Sequence, residues 1–514
     1  MKGNLRAPGG SKSPMTLRLL LTPVCLLSLY CAMTLDAVAA SDPASISAQL
    51  PDIGSPENAA LSKNDEYLIG RMITREMRDQ NLILEDPEVS DYIQNLGARL
   101  GAQTGKDEQN YQYMVIPSNE INAFASYGGF IFVYSSLFLL AADESQLASV
   151  LAHETGHVRQ RHLARAYNMA GRMSLASTAA LLAAILIGAA AHANGEALEG
   201  AIAMSQSIQL QQAMNFTRTE EAEADRVGIG LLADAGFRVT AMADFFESMG
   251  QRTDSMADYG SLELLRNHPV TRDRIAEARA RAAQYNQTQV NESGLFPWMQ
   301  ERLRVIAASA ETDMTLYYLR LRERRPLTDP ERYGEAIAQL RAGQSAPAVR
   351  TLQALVKSYP DITALYATLG EAESADGEQT EALATFDRAE KLFPRNVPIT
   401  VRYAETLMKI NQPGKAHDLL LDLFNNIEPT PWQIHLTALA ASAAGDTGDA
   451  YYYMAEYHVS GGNLPLANQQ LELALAAPNL TPVQRQRFRA RLDEIREWLR
   501  EEQKERHSSG NGGR

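Results

Sequence analysis

The chain has 514 residues, 45% of them hydrophobic and 21% charged, which excludes wholesale disorder and a polytopic membrane protein. Lys and Arg number 48 against 62 Asp and Glu, for a net charge of −14. So acidic a chain repels phosphate backbones, and nucleic acid is excluded as a partner class.

Residues 1–40 read as a secretory signal peptide. Lys2, Arg6, Lys12 and Arg18 precede an apolar stretch from Leu19 to Leu35, and Ala37-Val38-Ala39-Ala40 supplies small residues for cleavage near 39–40. Both cysteines, Cys25 and Cys31, fall in this leader, so an exported product would have neither a disulfide nor a thiolate ligand. Residues 41–60, with Pro43, Pro51 and Pro56, read as an extended lead-in.

From Asn64 to Leu100 apolar residues recur at helical spacing: Leu68, Met72, Ile73, Met77, then Tyr92, Ile93 and Leu96. Tyr111 to Ile116 alternates as a strand does, and Gly128-Gly129-Phe130-Ile131-Phe132-Val133-Tyr134 is a second β-rich run. Asp143 is an N-cap candidate opening about 20 residues of helical pattern. Residues 173–191 are uncharged and Ala-rich, which favours a helix buried against the domain or in peripheral contact with a membrane over a span. Residues 192–215 read as a mobile connection. Beyond Pro330, Ala348, Ala382 and Ala416 recur every 34 residues, the period of a tetratricopeptide (TPR) repeat. Tyr366, Leu369, Gly370, Ala382, Phe386, Ala389 and Pro394 fill the signature positions. Ala467 follows Ala416 by one and a half periods, so an extra helix is expected near 432–445.

His153-Glu154-Thr155-Gly156-His157 carries the chemistry. Two imidazoles four residues apart on a helix face one metal ion, and Glu154, one step round, can accept a proton from the attacking water. A catalytic metal needs a third protein ligand and an open position, and without cysteine that ligand is His, Asp or Glu. Glu221 and Asp225, four apart near the start of a second helix, offer one carboxylate for the metal and one for the N–H of a ligating imidazole.

His153–His157 followed by Glu221-x-x-Ala224-Asp225, after Asn122-Ala123-Phe124 and the Gly128–Tyr134 run, resembles the M48 zinc metallopeptidases. The resemblance implies one Zn2+ per chain on His153, His157 and Glu221, with Glu154 as general base and Asp225 behind the ligands. His268-Pro269 with Arg274 matches a further family element and implies that both residues are catalytic; His268 is also a candidate latch that swings onto the zinc. His162 and His192 match no ligand position and read as structural.

The fold class expected is mainly α with a small β-sheet. A zincin-like metalloprotease domain spans 61–325, an α-helical TPR solenoid 326–505 and a disordered tail 506–514. The activity implied is zinc-dependent endopeptidase action on protein or peptide substrates. Gly129, Phe130, Ile131, Phe132 and Val133 are expected to bind an extended substrate by strand addition. For an exported, repeat-bearing member, the resemblance implies a periplasmic location. It also implies docking of the repeats on the β-barrel assembly machinery or on misfolded or stalled outer-membrane barrel clients. The rival reading is a chaperone or scaffold whose repeats carry the function and whose zinc is structural.

Overall fold

A three-stranded sheet lies between two helical layers in the computed structural model, which describes residues 61–104, 110–170, 175–190, 217–255, 264 and 267–510. The expected leader, the lead-in at 41–60 and the connection at 192–215 lie outside the described residues. Strands β1 (Gln112–Ile116), β2 (Ala123–Ala125) and β3 (Phe130–Tyr134) stand in the order β1-β3-β2, with β1 parallel and β2 antiparallel to β3.

Every residue of β3 is buried, because helices cover both of its faces; this is why its sequence does not alternate with polar residues. Ile131 and Val133 face one core with Tyr113, Val115, Ile93 and Leu151. Phe130, Phe132 and Tyr134 face another with Ile69, Ile73 and Ile116. The helices around the sheet are α1 (Lys63–Asp79), α2 (Pro87–Gly101), α3 (Ser135–Leu140), α4 (Glu144–Arg159), α5 (His162–Ala170), α6 (Leu175–Ala190), α7 (Arg218–Asp234), α8 (Ala241–Ser255), α9 (Arg272–Ala282) and α10 (Phe296–Ile306). The Ala-rich α6 packs on α1 through Ala179, Leu182 and Ala183. Among the described residues, no helix is long and apolar enough to cross a membrane.

The expectation for residues 129–133 is corrected by this topology. Gly128 and Gly129 form a short 3-10 turn with φ of 72° and 90°, outside the strand. Phe130, Ile131, Phe132 and Val133 lie in the central strand, with β1 and β2 occupying both of its edges, so they offer no main chain to an added strand. The outer edges belong to β1 and β2. Asn122 and Ser126 bond inward to Tyr134 and Phe130, which leaves Ala123 and Ala125 pointing their main-chain groups outward. Farther along that edge the Ile121 carbonyl accepts from the Leu264 N–H at 3.1 Å.

Helix α11 (Met314–Arg324) leads into the repeats. The pairs are α12/α13 (Asp329–Arg341, Ser345–Ser358), α14/α15 (Thr363–Ala375, Gln379–Leu392) and α16/α17 (Val397–Lys409, Pro413–Phe424). The expected extra helix is α18 (Pro431–Ala444), followed by α19/α20 (Thr447–Ser460, Leu464–Ala476) and α21 (Pro482–Gly510). Ala348, Ala382, Ala416 and Ala467 are all fully buried. Gly370 must be small because a Cβ there would lie 2.5 Å from the Phe386 ring. Residues 506–510, expected in the tail, belong instead to the last turns of α21, which follow the Glu- and Arg-rich run before them.

The repeats pack on the sheet and its helices through one continuous apolar core and a buried ion cluster. Arg302 of α10 grips Asp86, the N-cap of α2, with two bonds of 2.7 Å. Arg402 of α16 reaches Asp86 at 2.7 Å and Glu88 at 2.8 Å. Farther on, Arg71 and Arg75 of α1 donate to the carbonyls of Ser460 and Gly461 at 3.0 and 3.2 Å.

Candidate metal centre

Two helices, α4 and α7, and the turn before α9 build the site. Asp143 caps α4 by accepting the Gln146 N–H, and Thr217 with Glu220 forms a reciprocal capping box at the start of α7. Gly156 allows the two helices to touch, since a Cβ on it would stand 2.9 Å from the Ala224 carbonyl oxygen. Gly228 does the same one turn along, where a Cβ would lie 3.1 Å from the His153 nitrogen. Close approach brings Glu221 and Asp225 against His153 and His157.

His153, His157, Glu221 and His268 are all buried, and one ligand atom from each lies within 4.8 Å of the others. His153 Nε2 is 3.0 Å from His157 Nε2 and 3.3 Å from His268 Nδ1. Glu221 Oε1 is 2.8 Å from His268 Nδ1 and 3.5 Å from His157 Nε2. A tetrahedral zinc with bonds of about 2.0–2.1 Å separates its ligand atoms by about 3.3 Å, so this donor set fits the ion in both chemistry and spacing. Asp225 Oδ1 lies 2.9 Å from His153 Nδ1, where it fixes the imidazole with Nε2 turned inward.

Glu154 is fully buried, and neither of its carboxylate oxygens has a hydrogen-bond donor among the described residues. His268 Nε2 stands 3.6 Å from its Oε1. Beside them lies a cavity of about 20 Å3 bounded by Val150, Phe246, Leu264 and Val270, room for about one water.

Arg274, expected to be catalytic, has its guanidinium committed elsewhere. It makes two 2.8 Å hydrogen bonds to Asp225 and one of 2.9 Å to the Pro269 carbonyl, pairs in charge with Glu221 at 2.8 Å, and lies over the face of Phe246. In this arrangement it is a positioning residue that holds carboxylates in place.

Electrostatics follow the same contacts. Burial disfavours the His153 imidazolium, yet Asp225 and Glu221 outweigh it and hold its pKa up at about 10. Burial and the neighbouring His153 and His268 push His157 well below the usual range. Burial works against the Glu221 carboxylate too, but His268 and His153 draw its pKa far down. Burial likewise opposes ionisation of Asp225, and His153 with Arg274 overrides it downward.

Sequence reasoning missed His162 as part of this site. It is fully buried, with its Nδ1 2.7 Å from His157 Nδ1 and its Nε2 3.1 Å from Glu223 Oε2. Spacing gives no sign of this, because His162 follows a left-handed residue, Arg161 (φ 53°), that turns the chain back toward α4. A second acidic group, His417 with Asp446 and Asp449, is already engaged by Gln484 and Arg487 and reads as a structural knot between repeats.

The family model for peptidase family M48 matches residues 85–282. The β-barrel assembly-enhancing protease of Escherichia coli K12 is 31% identical over 482 residues, covering 91% of this chain and 96% of that relative. The protein of the same name from Yersinia pestis is 29% identical over 453 residues, 87% of this chain and 91% of its own. Mitochondrial metalloendopeptidase OMA1 of Schizosaccharomyces pombe is 28% identical over 184 residues, 36% of this chain and half of its own. Taken with the two-helix His-Glu donor set and the buried Glu154, these matches show that the chain belongs to peptidase family M48 and is a metallopeptidase.

Proposed function

We propose that this metallopeptidase is a periplasmic zinc endopeptidase that clears outer-membrane proteins misfolded or stalled during β-barrel assembly. In this reading the protease part, residues 61–325, cuts, and the repeats, residues 326–505, dock the assembly machinery or its clients. The names of the relatives support the setting. The observation that carries the chemistry is Glu154, a buried carboxylate without a donor, set against a tetrahedral donor group.

His153, His157 and Glu221 would hold the ion, which when bound polarises a scissile carbonyl and acidifies the attacking water. Glu154 accepts the proton of that water and returns it to the departing amine. Asp225 and Arg274 keep the ligands in register. Main chain from the substrate pairs with the outer edge of β2, at Ala123 and Ala125, in extended form.

His268 fills the fourth position with its Nδ1, and a catalytic site needs that position open. His268 is therefore a latch in this reading, and its departure precedes every turnover. The closed set also favours the scaffold reading, in which the metal is structural. Glu154→Gln decides between them: it should keep one zinc per chain and lose casein cleavage by about 10²–10⁴-fold. A variant that retains full activity in cells would leave the scaffold reading standing.

A further inference from the structure

His157 lies at the start of a hydrogen-bonded line that runs out of the metal site. To present its Nε2 lone pair to a metal, His157 must carry its proton on Nδ1, in a place where burial makes an unpaired N–H costly. His162 Nδ1 lies 2.7 Å from that nitrogen, with the rings nearly perpendicular at 76°. Accepting there puts the proton of His162 on Nε2, which faces Glu223 Oε2 at 3.1 Å. Arg165 donates to the same Glu223 oxygen at 3.0 Å. Each ring nitrogen of His162 has one role, acceptor or donor, and the line ends on an ion pair at the rim.

The fold holds His162 firmly. Arg161 donates to Glu66 Oε1 at 2.8 Å and to the Leu61 carbonyl at 2.7 Å, which ties the turn before His162 to the start of α1. Helix α7 thus backs both histidines, His153 directly through Asp225 and His157 through Glu223 and His162.

We infer that His162 and Glu223 are positioning residues for the metal ligand His157, fixing its tautomer and ring orientation through a histidine relay. This rests on the reading of His157 as a ligand. The test is zinc affinity of the full chain by chelator competition, for wild type, His157→Ala, His162→Phe, His162→Gln and Glu223→Ala, with folding checked by circular dichroism.

His162→Phe should weaken zinc binding by about 10–100-fold, the usual cost of losing an outer hydrogen-bond partner. His162→Gln should recover most of the loss, because its amide offers one acceptor and one donor. Glu223→Ala should fall between Phe and wild type. Loss of zinc in His157→Ala with His162→Phe unchanged would overturn the relay, as would equal losses in the Phe and Gln variants. Unchanged zinc in His157→Ala would instead sink the ligand reading. If His162→Phe does not fold, Glu223→Ala decides, since that side chain is at the rim, and wild-type affinity there overturns the relay.

Discussion

At His268 the proposed reading joins two requirements that conflict: the donor group is complete with this side chain, and a catalytic site would be open only without it. Replacing it separates them. His268→Ala should bind zinc and raise casein cleavage several-fold over wild type; abolished cleavage beside retained zinc would make His268 a donor to the reacting carbonyl instead. His153 and His157 were legible in the sequence as candidate donors because helical spacing alone puts them on one face. Glu221 and Asp225 were legible for the same reason, on α7. Arg274 was expected among the catalytic residues, and only the fold shows its donors engaged with Asp225 and Glu221. His162 was unreadable because its role depends on a turn pinned by Glu66, a residue 95 positions away.

Among the elements, the contact of α4 with α7 sets how accurately the donors meet. Gly156 sits between the motif residues Glu154 and His157 and faces the backbone of Ala224, which has no side-chain end to yield. Gly156→Ala should therefore force the helices apart, cost about 1–3 kcal/mol and weaken zinc binding with it. Urea unfolding and chelator competition on the same variant check both effects; unchanged values would mean that the helices adjust freely. Both helices were predictable from caps and periodicity, whereas the order of the strands was not. Gly129–Val133 were expected to bind substrate by main-chain pairing, yet the apolar richness of this run is the mark of a strand covered on both faces and paired on both edges.

Across the whole molecule, Asp86, Glu88, Arg302 and Arg402 join the protease layers to the repeats. Removing one cation leaves two buried carboxylates on a single guanidinium. Arg402→Ala should lower stability by about 3 kcal/mol in urea unfolding, and a loss below about 0.5 kcal/mol would show the cluster to be dispensable. The TPR period and the extra helix at 431–444 were readable from alanine spacing, but where the array docks was not, because Arg402 meets Glu88 across 314 residues of chain. The short edge of β2 has a consequence for how clients are chosen. The Asn122 side chain already takes the Ala123 N–H at 2.9 Å, which leaves three outward main-chain groups on Ala123 and Ala125. Three hydrogen bonds at about 1 kcal/mol each amount to a dissociation constant weaker than about 1 mM. On these bonds alone a free peptide would be held only weakly, whatever its sequence. If the repeats dock the client, as proposed, that second contact raises its local concentration at the strand edge, and such an enzyme would distinguish proteins by how long they linger rather than by what they spell.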